Sequence, residues 1–341
     1  MRLSCPACAA QFEAAPIESH EDRIGGQRYD LFSCVSCGVV FSEPRQSVGA
    51  DWYEKAAPIR AVETRPSPFR DWRYRTFLAE NLPPGKLLDI GCGDGAFLAL
   101  AKKRGFSVIG FDYDRRMIEL ARRRGILEVE SAEFSDWLSR RRDGEFDCIT
   151  LFDVLEHHPE PARFLGELKR LLKPGGAVAI TLPNTLRPLP WGREEHDYPP
   201  HHFTRWSPQS MNAFLESHGF RVVHQISSQL KISYLYNQFF FSVLMPRLLP
   251  PLKRALFGIS GSRTVSDLYQ DAQPTGMKHN GGRGIARKFL SQKLRRQRLV
   301  NGFKTLCFPI IFPAAAGMAA YYSLTTPDCG DCLYTLACLK W

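Results

Sequence analysis

Leu87-Leu88-Asp89-Ile90-Gly91-Cys92-Gly93-Asp94-Gly95 is a short apolar run that breaks into a glycine-rich turn, and a helical pattern starts at once with Ala96. A strand, a tight turn that brings backbone close to a ligand, and a helix N-terminus in that order open a doubly wound α/β domain. The pattern repeats outward from this point. Apolar runs at Ser107–Phe111, Ile126–Val129, Phe146–Phe152 and Ala177–Leu182 read as strands, and Ala96–Arg104, Arg115–Arg124, Phe134–Arg140 and Pro161–Leu172 as the helices between them. Strands alternating with helices of this length predict a parallel sheet covered on both faces. Ser207 and Pro208 then start a further helix that Gly219 ends, Arg221–Ile226 follows as a strand, and Cys332–Leu339 reads as the last strand.

The turn also bears on the ligand. Asp112 lies 21 residues after Gly91, at the end of the next strand, where a carboxylate can accept hydrogen bonds from two ribose hydroxyls. A dinucleotide fingerprint is GxGxxG, but this turn is GxGxG, with Asp89 before it and Asp94 inside it. Acidic groups repel a pyrophosphate and suit the ammonium and sulfonium charges of S-adenosylmethionine. Downstream stand Phe146-Asp147-Cys148-Ile149-Thr150-Leu151-Phe152-Asp153-Val154-Leu155-Glu156-His157, then Leu172-Lys173-Pro174-Gly175-Gly176 and Leu182-Pro183-Asn184. With these motifs in order, roughly a third of the chain resembles the class I S-adenosylmethionine-dependent methyltransferases. The resemblance implies cofactor contacts from Asp89, Gly91, Gly93, Gly95 and Asp112, and from Phe152 and Asp153 at the methionine end. Near the adenine, where the family often has an acidic residue, this chain has Ser131 and Ala132.

Transfer of a methyl group to oxygen or to an acidic carbon needs a base at the carboxyl edge of the sheet. Two clusters offer one. Glu156-His157-His158 follows the fourth strand, and Asp153-x-x-Glu156-His157 is similar to the metal-binding ExxEH of ubiquinone-pathway O-methyltransferases and small-RNA 2′-O-methyltransferases. The plainer reading gives Glu156 and His157 the floor of the pocket. The second cluster, Glu194 to Phe203, carries His201 and His202 on a Pro-rich loop, where imidazoles titrating near neutrality suit a base. His157, His201 and His202 are therefore the catalytic candidates. Nucleobase N-methylation is disfavoured, because no (N/D)PP(Y/F) motif follows the fourth strand.

Cys5-Pro6-Ala7-Cys8 and Cys34-Val35-Ser36-Cys37 are two knuckles whose four thiolates close a tetrahedral structural zinc site. Similar ribbons occur in methyltransferases of nucleotide-linked deoxysugars and of ribosomal RNA, so the ribbon names no substrate. Cys329 and Cys332 have no second knuckle and read as incidental. The start of the chain lacks a secretory pattern, which with the metal-type cysteines predicts a reducing cytoplasm.

The domains expected are a ribbon at 1–45, a linker and leading helix at 46–80, the catalytic core at 81–229, a helical insertion at 230–328, and the final strand of the core at 329–341. The net charge is +10, and nine Lys/Arg without one acidic residue lie between Asp271 and Asp328, so almost all of the excess is local. Ile232–Pro246 and Thr305–Pro327 are uncharged, and Ile285–Val300 is basic and amphipathic. Pro309 and Pro313 interrupt the longer run, and a single crossing would part the last strand from its sheet. An element lying on an anionic membrane surface fits better than a span, and a solvated helical cover is the plainer alternative. The expected enzyme methylates O or C of a sugar, a lipid-linked saccharide or another small acceptor. An RNA methyltransferase and a non-catalytic scaffold are the competing readings; no nucleic-acid module is visible.

Overall fold

The computed structural model describes residues 2–22, 25–46, 68–190, 192–193, 195–240, 302, 305–309, 311–326 and 328–340. The aromatic stretch at Trp52–Tyr53, the uncharged run after 240 and the basic stretch Ile285–Val300 lie outside the described residues.

The N-terminal strands are β1 (Arg2–Ser4), β2 (Gln11–Glu13), β3 (Glu18–Glu21), β4 (Arg28–Ser33) and β5 (Val40–Glu43). The core follows with α1 (Trp72–Ala79), β6 (Lys86–Ile90), α2 (Ala96–Lys103), β7 (Ser107–Phe111), α3 (Arg115–Arg123), β8 (Val129–Glu130), α4 (Phe134–Ser139), β9 (Phe146–Phe152) and α5 (Pro161–Leu171). It ends with β10 (Leu172–Pro183), β11 (Thr204–Arg205), α6 (Pro208–Ser217), β12 (Phe220–Ser227), α7 (Ile232–Gln238) and β13 (Cys332–Leu339).

Seven strands form one sheet in the order β12-β13-β10-β9-β6-β7-β8. Six of them run in one direction, and only β13, antiparallel to both β10 and β12, runs the other way. The reversal from β6 outward to β7 on one side and β9 on the other puts the glycine turn at the topological switch point, where such sheets bind ligands. Both faces of the sheet are covered, with Leu88, Ile149 and Leu151 on one side and Leu87, Cys148 and Ala179 on the other.

Two boundaries differ from the sequence reading. The strand expected at Ile126–Val129 is only Val129–Glu130, because the amide of Ile126 donates to the Ala121 carbonyl and so closes the preceding helix. The strand expected at Ala177–Leu182 begins earlier, at Leu172, and absorbs the Lys173–Gly176 turn as a register shift against β9. On α6, the Ser207 hydroxyl accepts from the Ser210 amide and Gly219 follows in the left-handed region at φ 86°, as the capping signals required.

A second sheet has the order β11-β5-β4-β3. Four of its residues in pairing matter: Thr204 opposes Phe41 and Arg205 opposes Val40. A two-residue strand of the core thus completes the sheet of the cysteine-bearing segment, three residues after the second histidine cluster begins at His201.

Candidate functional site

The glycine turn is held from both sides. Gly91 has φ 74°, and a Cβ there would meet Val154 Cγ2 at 2.6 Å, so only glycine permits the turn to pass beneath the loop that follows β9. At Gly95 the absent Cβ serves packing, because one would meet Ala121 Cβ of α3 at 2.9 Å. The Asp112 carboxylate accepts from the Gly93 amide at 2.8 Å and from the Asp114 amide at 2.8 Å, which ties the two loops of the cleft together.

Asp89 is buried and accepts from the Thr150 hydroxyl at 2.6 Å. Burial, with a further push from the Asp112 charge, lifts its carboxyl to about 7. The two carboxylates are therefore close enough for one charge to act on the other. Asp94 contributes less charge to it than the sequence implied, since its carboxylate accepts from Arg124 at 2.6 Å and from the Ala96 amide at 3.2 Å.

After β9, where the sequence places the methionine end, Asp153 stands in the left-handed region at φ 57°, accepts from the Thr181 hydroxyl at 3.0 Å and forms an ion pair with Arg73. Arg73 also pairs with Asp71 at 2.6 Å. Sequence reasoning missed Arg73, whose only local signal was the helix start at Asp71. Phe152 is buried against Phe97 with ring centroids 4.8 Å apart. At the other end the Ser131 hydroxyl donates to the Tyr113 carbonyl at 2.9 Å, and the ring of Tyr113 is 59% exposed beside Asp112. Ala132 is half-buried next to it. Tyr113 was also missed; an aromatic residue directly after Asp112 was the available signal.

The catalytic candidates come together. Ring centroids of His157 and His201 lie 4.6 Å apart, those of His157 and His202 4.8 Å, and those of His201 and His202 4.8 Å. The His157 Nδ1 is 2.6 Å from the His201 carbonyl, and the Phe203 amide donates to the Glu156 carbonyl at 2.8 Å, so the two clusters are one. Glu156 is 1% exposed, and neither carboxylate oxygen has a hydrogen-bond partner among the described residues. Burial and the nearby Asp153 charge push this carboxyl well above the ordinary range. His202 is buried beside Asp197, whose carboxyl stays low despite its own burial because His202 and Arg187 face it. His158 differs from its neighbours. It stacks on Phe164 at 3.6 Å, and burial lowers it to about 4, which makes it a packing residue.

The four cysteines of the knuckles place their sulfurs within 4.8 Å of one another. Cys5 and Cys37 are 3.6 Å apart, as are Cys8 and Cys34, close to the ~3.8 Å edge of a tetrahedron with zinc–sulfur bonds of about 2.3 Å. The set fits a structural zinc ion. Cys329 and Cys332 belong to no such group among the described residues.

This ribbon grips the histidine loop. Glu18 of β3 accepts from Arg205 at 2.7 Å and from the Tyr198 hydroxyl, while His20 stacks on Tyr198 with centroids 4.2 Å apart. Further along the chain, residues 305–309 and 311–325 are helical. Ile311, Ala315 and Ala319 pack on Leu235, Tyr236 and Phe240, while Leu306, Phe308, Tyr321 and Leu324 are exposed. No helix among the described residues is long and apolar enough to cross a membrane.

Residues 61–225 match the model of a methyltransferase-domain family. A ubiquinone biosynthesis O-methyltransferase of Pseudomonas aeruginosa is 35% identical over 106 residues, which cover 29% of this chain and 44% of that enzyme. One of Acinetobacter baumannii is 28% identical over 181 residues, covering 47% of this chain and 73% of that enzyme. The chain thus spans less than half the length of the first of these relatives. Among solved structures, an S-adenosylmethionine-dependent methyltransferase of Archaeoglobus fulgidus aligns with a TM-score of 0.48 at 16% identity, covering 84% of this chain and 99% of that one.

Proposed function

We propose that this chain, whose residues 61–225 match a methyltransferase-domain family, moves the methyl group of S-adenosylmethionine to oxygen or carbon of a small acceptor. A sugar or lipid-linked saccharide is the acceptor class we favour, and the name of the relatives, O-methyltransferase, favours oxygen. The observation that carries this reading is the junction of two halves at Asp153. On one side Asp89 and Asp112 flank the glycine turn, and on the other the buried Glu156 begins the three-histidine cluster.

In this reading Asp112 takes the ribose hydroxyls, Tyr113 covers the adenine beside Ser131 and Ala132, and Arg73 with Asp153 offers opposite charges to the carboxylate and ammonium of the methionine. Gly91, Gly93 and Gly95 keep the turn narrow, and Phe152 walls the methyl group from water. The cluster of Glu156, His157, His201 and His202 supplies the base. Proton removal from an acceptor hydroxyl and attack on the methyl carbon then expel S-adenosylhomocysteine, in a cleft that holds the partners in line.

A lipid-linked acceptor gains support from the exposed, uncharged face of residues 305–309 and 311–326 and from the nine cations that precede it without an acidic residue. A helix apolar on every side but packed on one seeks an apolar medium, and cations draw it to anionic headgroups.

Calorimetric titration with S-adenosylmethionine, followed by tritiated methyl transfer into lipid, nucleotide-sugar and RNA pools, tests both halves. Binding that Asp112→Ala weakens by about a hundredfold, with label entering a saccharide or lipid pool, is the expected outcome. Label in RNA would overturn the acceptor class, and folded protein that binds no donor would restore the scaffold reading. Co-sedimentation with phosphatidylglycerol vesicles but not phosphatidylcholine vesicles is expected, and equal recovery with both would remove the membrane surface.

A further inference from the structure

We propose that His157, His201 and His202 hold a second metal ion of the zinc class, distinct from that of the ribbon, at the place where the acceptor loses its proton. One ring nitrogen from each histidine lies within 4.8 Å of the other two. Their Nδ1 atoms face oxygen, within hydrogen-bond distance for His157 and His201. His157 Nδ1 is 2.6 Å from the His201 carbonyl, His201 Nδ1 is 2.9 Å from the His196 carbonyl, and His202 Nδ1 is 3.7 Å from Asp197. An imidazole whose Nδ1–H donates to a carbonyl or carboxylate is fixed in the tautomer that ligates through Nε2. Closing the triangle from 4.8 Å to the ~3.4 Å between nitrogens of a tetrahedral zinc site moves each nitrogen by less than about 1 Å.

Glu156 is the second, independent observation. Its carboxylate is 1% exposed, accepts no hydrogen bond from any described residue, and lies 4.0 Å from the His157 Nε2. An unsatisfied buried carboxylate is costly unless a cation or a donor faces it. A divalent ion on the three imidazoles supplies that charge.

The donor set chooses the metal. Three imidazoles with an open fourth position suit borderline ions such as Zn2+, whereas Mg2+ and Ca2+ take oxygen. The oxygen-rich alternative would need Asp153, whose carboxylate is held by Arg73 and Thr181.

The inference rests on the methyl-transfer reading and sharpens it. An acceptor hydroxyl at the open position is acidified and gives its proton to Glu156. Its oxygen forms the new bond to the methyl carbon as the carbon–sulfur bond breaks, and S-adenosylhomocysteine leaves with that electron pair.

Metal content of the full chain purified with Zn2+ decides. Two equivalents per chain are expected in the parent, and one in a His201→Ala/His202→Ala variant that keeps the ribbon ion. Cobalt added to ribbon-loaded protein should give the weak visible bands of nitrogen and oxygen coordination without sulfur-to-metal charge transfer. Glu156→Gln should keep the second equivalent and lose at least a hundredfold in turnover. One equivalent in the parent, no cobalt bands, or a second equivalent that survives the double substitution would overturn the proposal. Donor binding and label transfer that persist in that case leave the methyltransferase reading standing, so the two failures are distinguishable.

Discussion

The glycine turn and the histidine loop both gather at the carboxyl edge of the sheet, after β6 and after β9, but are held by different kinds of contact. Gly93 is tied to Asp112, 19 positions away, and Asp94 to Arg124, 30 positions away. The histidine loop is tied to Glu18 from Tyr198 and Arg205, 180 and 187 positions away, and it enters the ribbon sheet through Thr204 and Arg205. One of them is therefore made by a single β-α-β unit, and the other exists only where two segments meet. The donor half should survive damage to the ribbon, and the acceptor half should not.

The largest break in that comparison comes from disabling the four cysteines that fit a structural zinc ion. Structural zinc contributes on the order of 10 kcal/mol to small zinc-dependent folds. Without it the sheet that β11 joins loses its other strands, and the Phe203 carbonyl loses the Ser42 amide that donates to it at 3.0 Å. Cys34→Ser is expected to abolish methyl transfer, by a factor of more than about a thousand, while the dissociation constant for S-adenosylmethionine changes by less than about twofold. Calorimetry and a turnover assay on the same preparation read both quantities. Equal loss of donor affinity would mean that the halves are not separate.

The same difference decides what the sequence could reveal. The order of strands and helices, the switch point and the turn at Gly91 were legible because each is written in a window of about ten residues. The last strand, Cys332–Leu339, was legible too, although about a hundred residues separate it from β12. His157, His201 and His202 were legible as residue types on the proper edge. Their convergence was not, because it depends on the pairing of Thr204 with Phe41 and on the bond from His157 to the His201 carbonyl. Arg73 was hidden for the same reason, as its partner Asp153 lies 80 positions away. The charge of the glycine turn was overestimated, because no local pattern says that Arg124 will neutralise Asp94.

A smaller effect sharpens the donor side. The Asp89 carboxyl sits at about 7 in the folded protein, above the ~3.9 of an unfolded chain, so the folded state holds the proton more tightly. This group therefore favours folding most below about pH 4; the advantage is lost as pH rises to 7 and stays constant above. The donor's ammonium reverses the preference, because it stabilises the ionised form. Affinity for S-adenosylmethionine should rise about tenfold between pH 6 and pH 8, with a proton released on binding. Asp89→Asn should flatten that profile. Calorimetry in buffers of different ionisation enthalpy measures the proton directly, and an unchanged slope in the variant would assign the proton to another group.

The smallest effect probes the clasp alone, with the metal left in place. Glu18 accepts from both Tyr198 and Arg205, and these donors hold its carboxyl below the usual range although burial opposes them. Glu18→Gln removes the charge but keeps the shape, so Arg205, itself 7% exposed, loses its carboxylate partner there while its contact at 3.4 Å with the Asp197 carbonyl remains. Leaving one buried donor poorly paired costs on the order of 1–2 kcal/mol. Because β11 still pairs with β5, the loop loosens rather than leaves. Turnover should fall about three- to fivefold with donor affinity unchanged, and acid should reproduce the effect in the parent. Stability contributed by a lowered carboxyl is present above its unfolded value of about 4.3 and is lost as pH falls through the folded value. The parent should therefore lose its advantage over Glu18→Gln in thermal unfolding below about pH 4. An offset between the two that stays constant from pH 7 to pH 3 would show that the carboxylate charge does not hold the loop, and that the strand pairing alone joins the ribbon to the acceptor half.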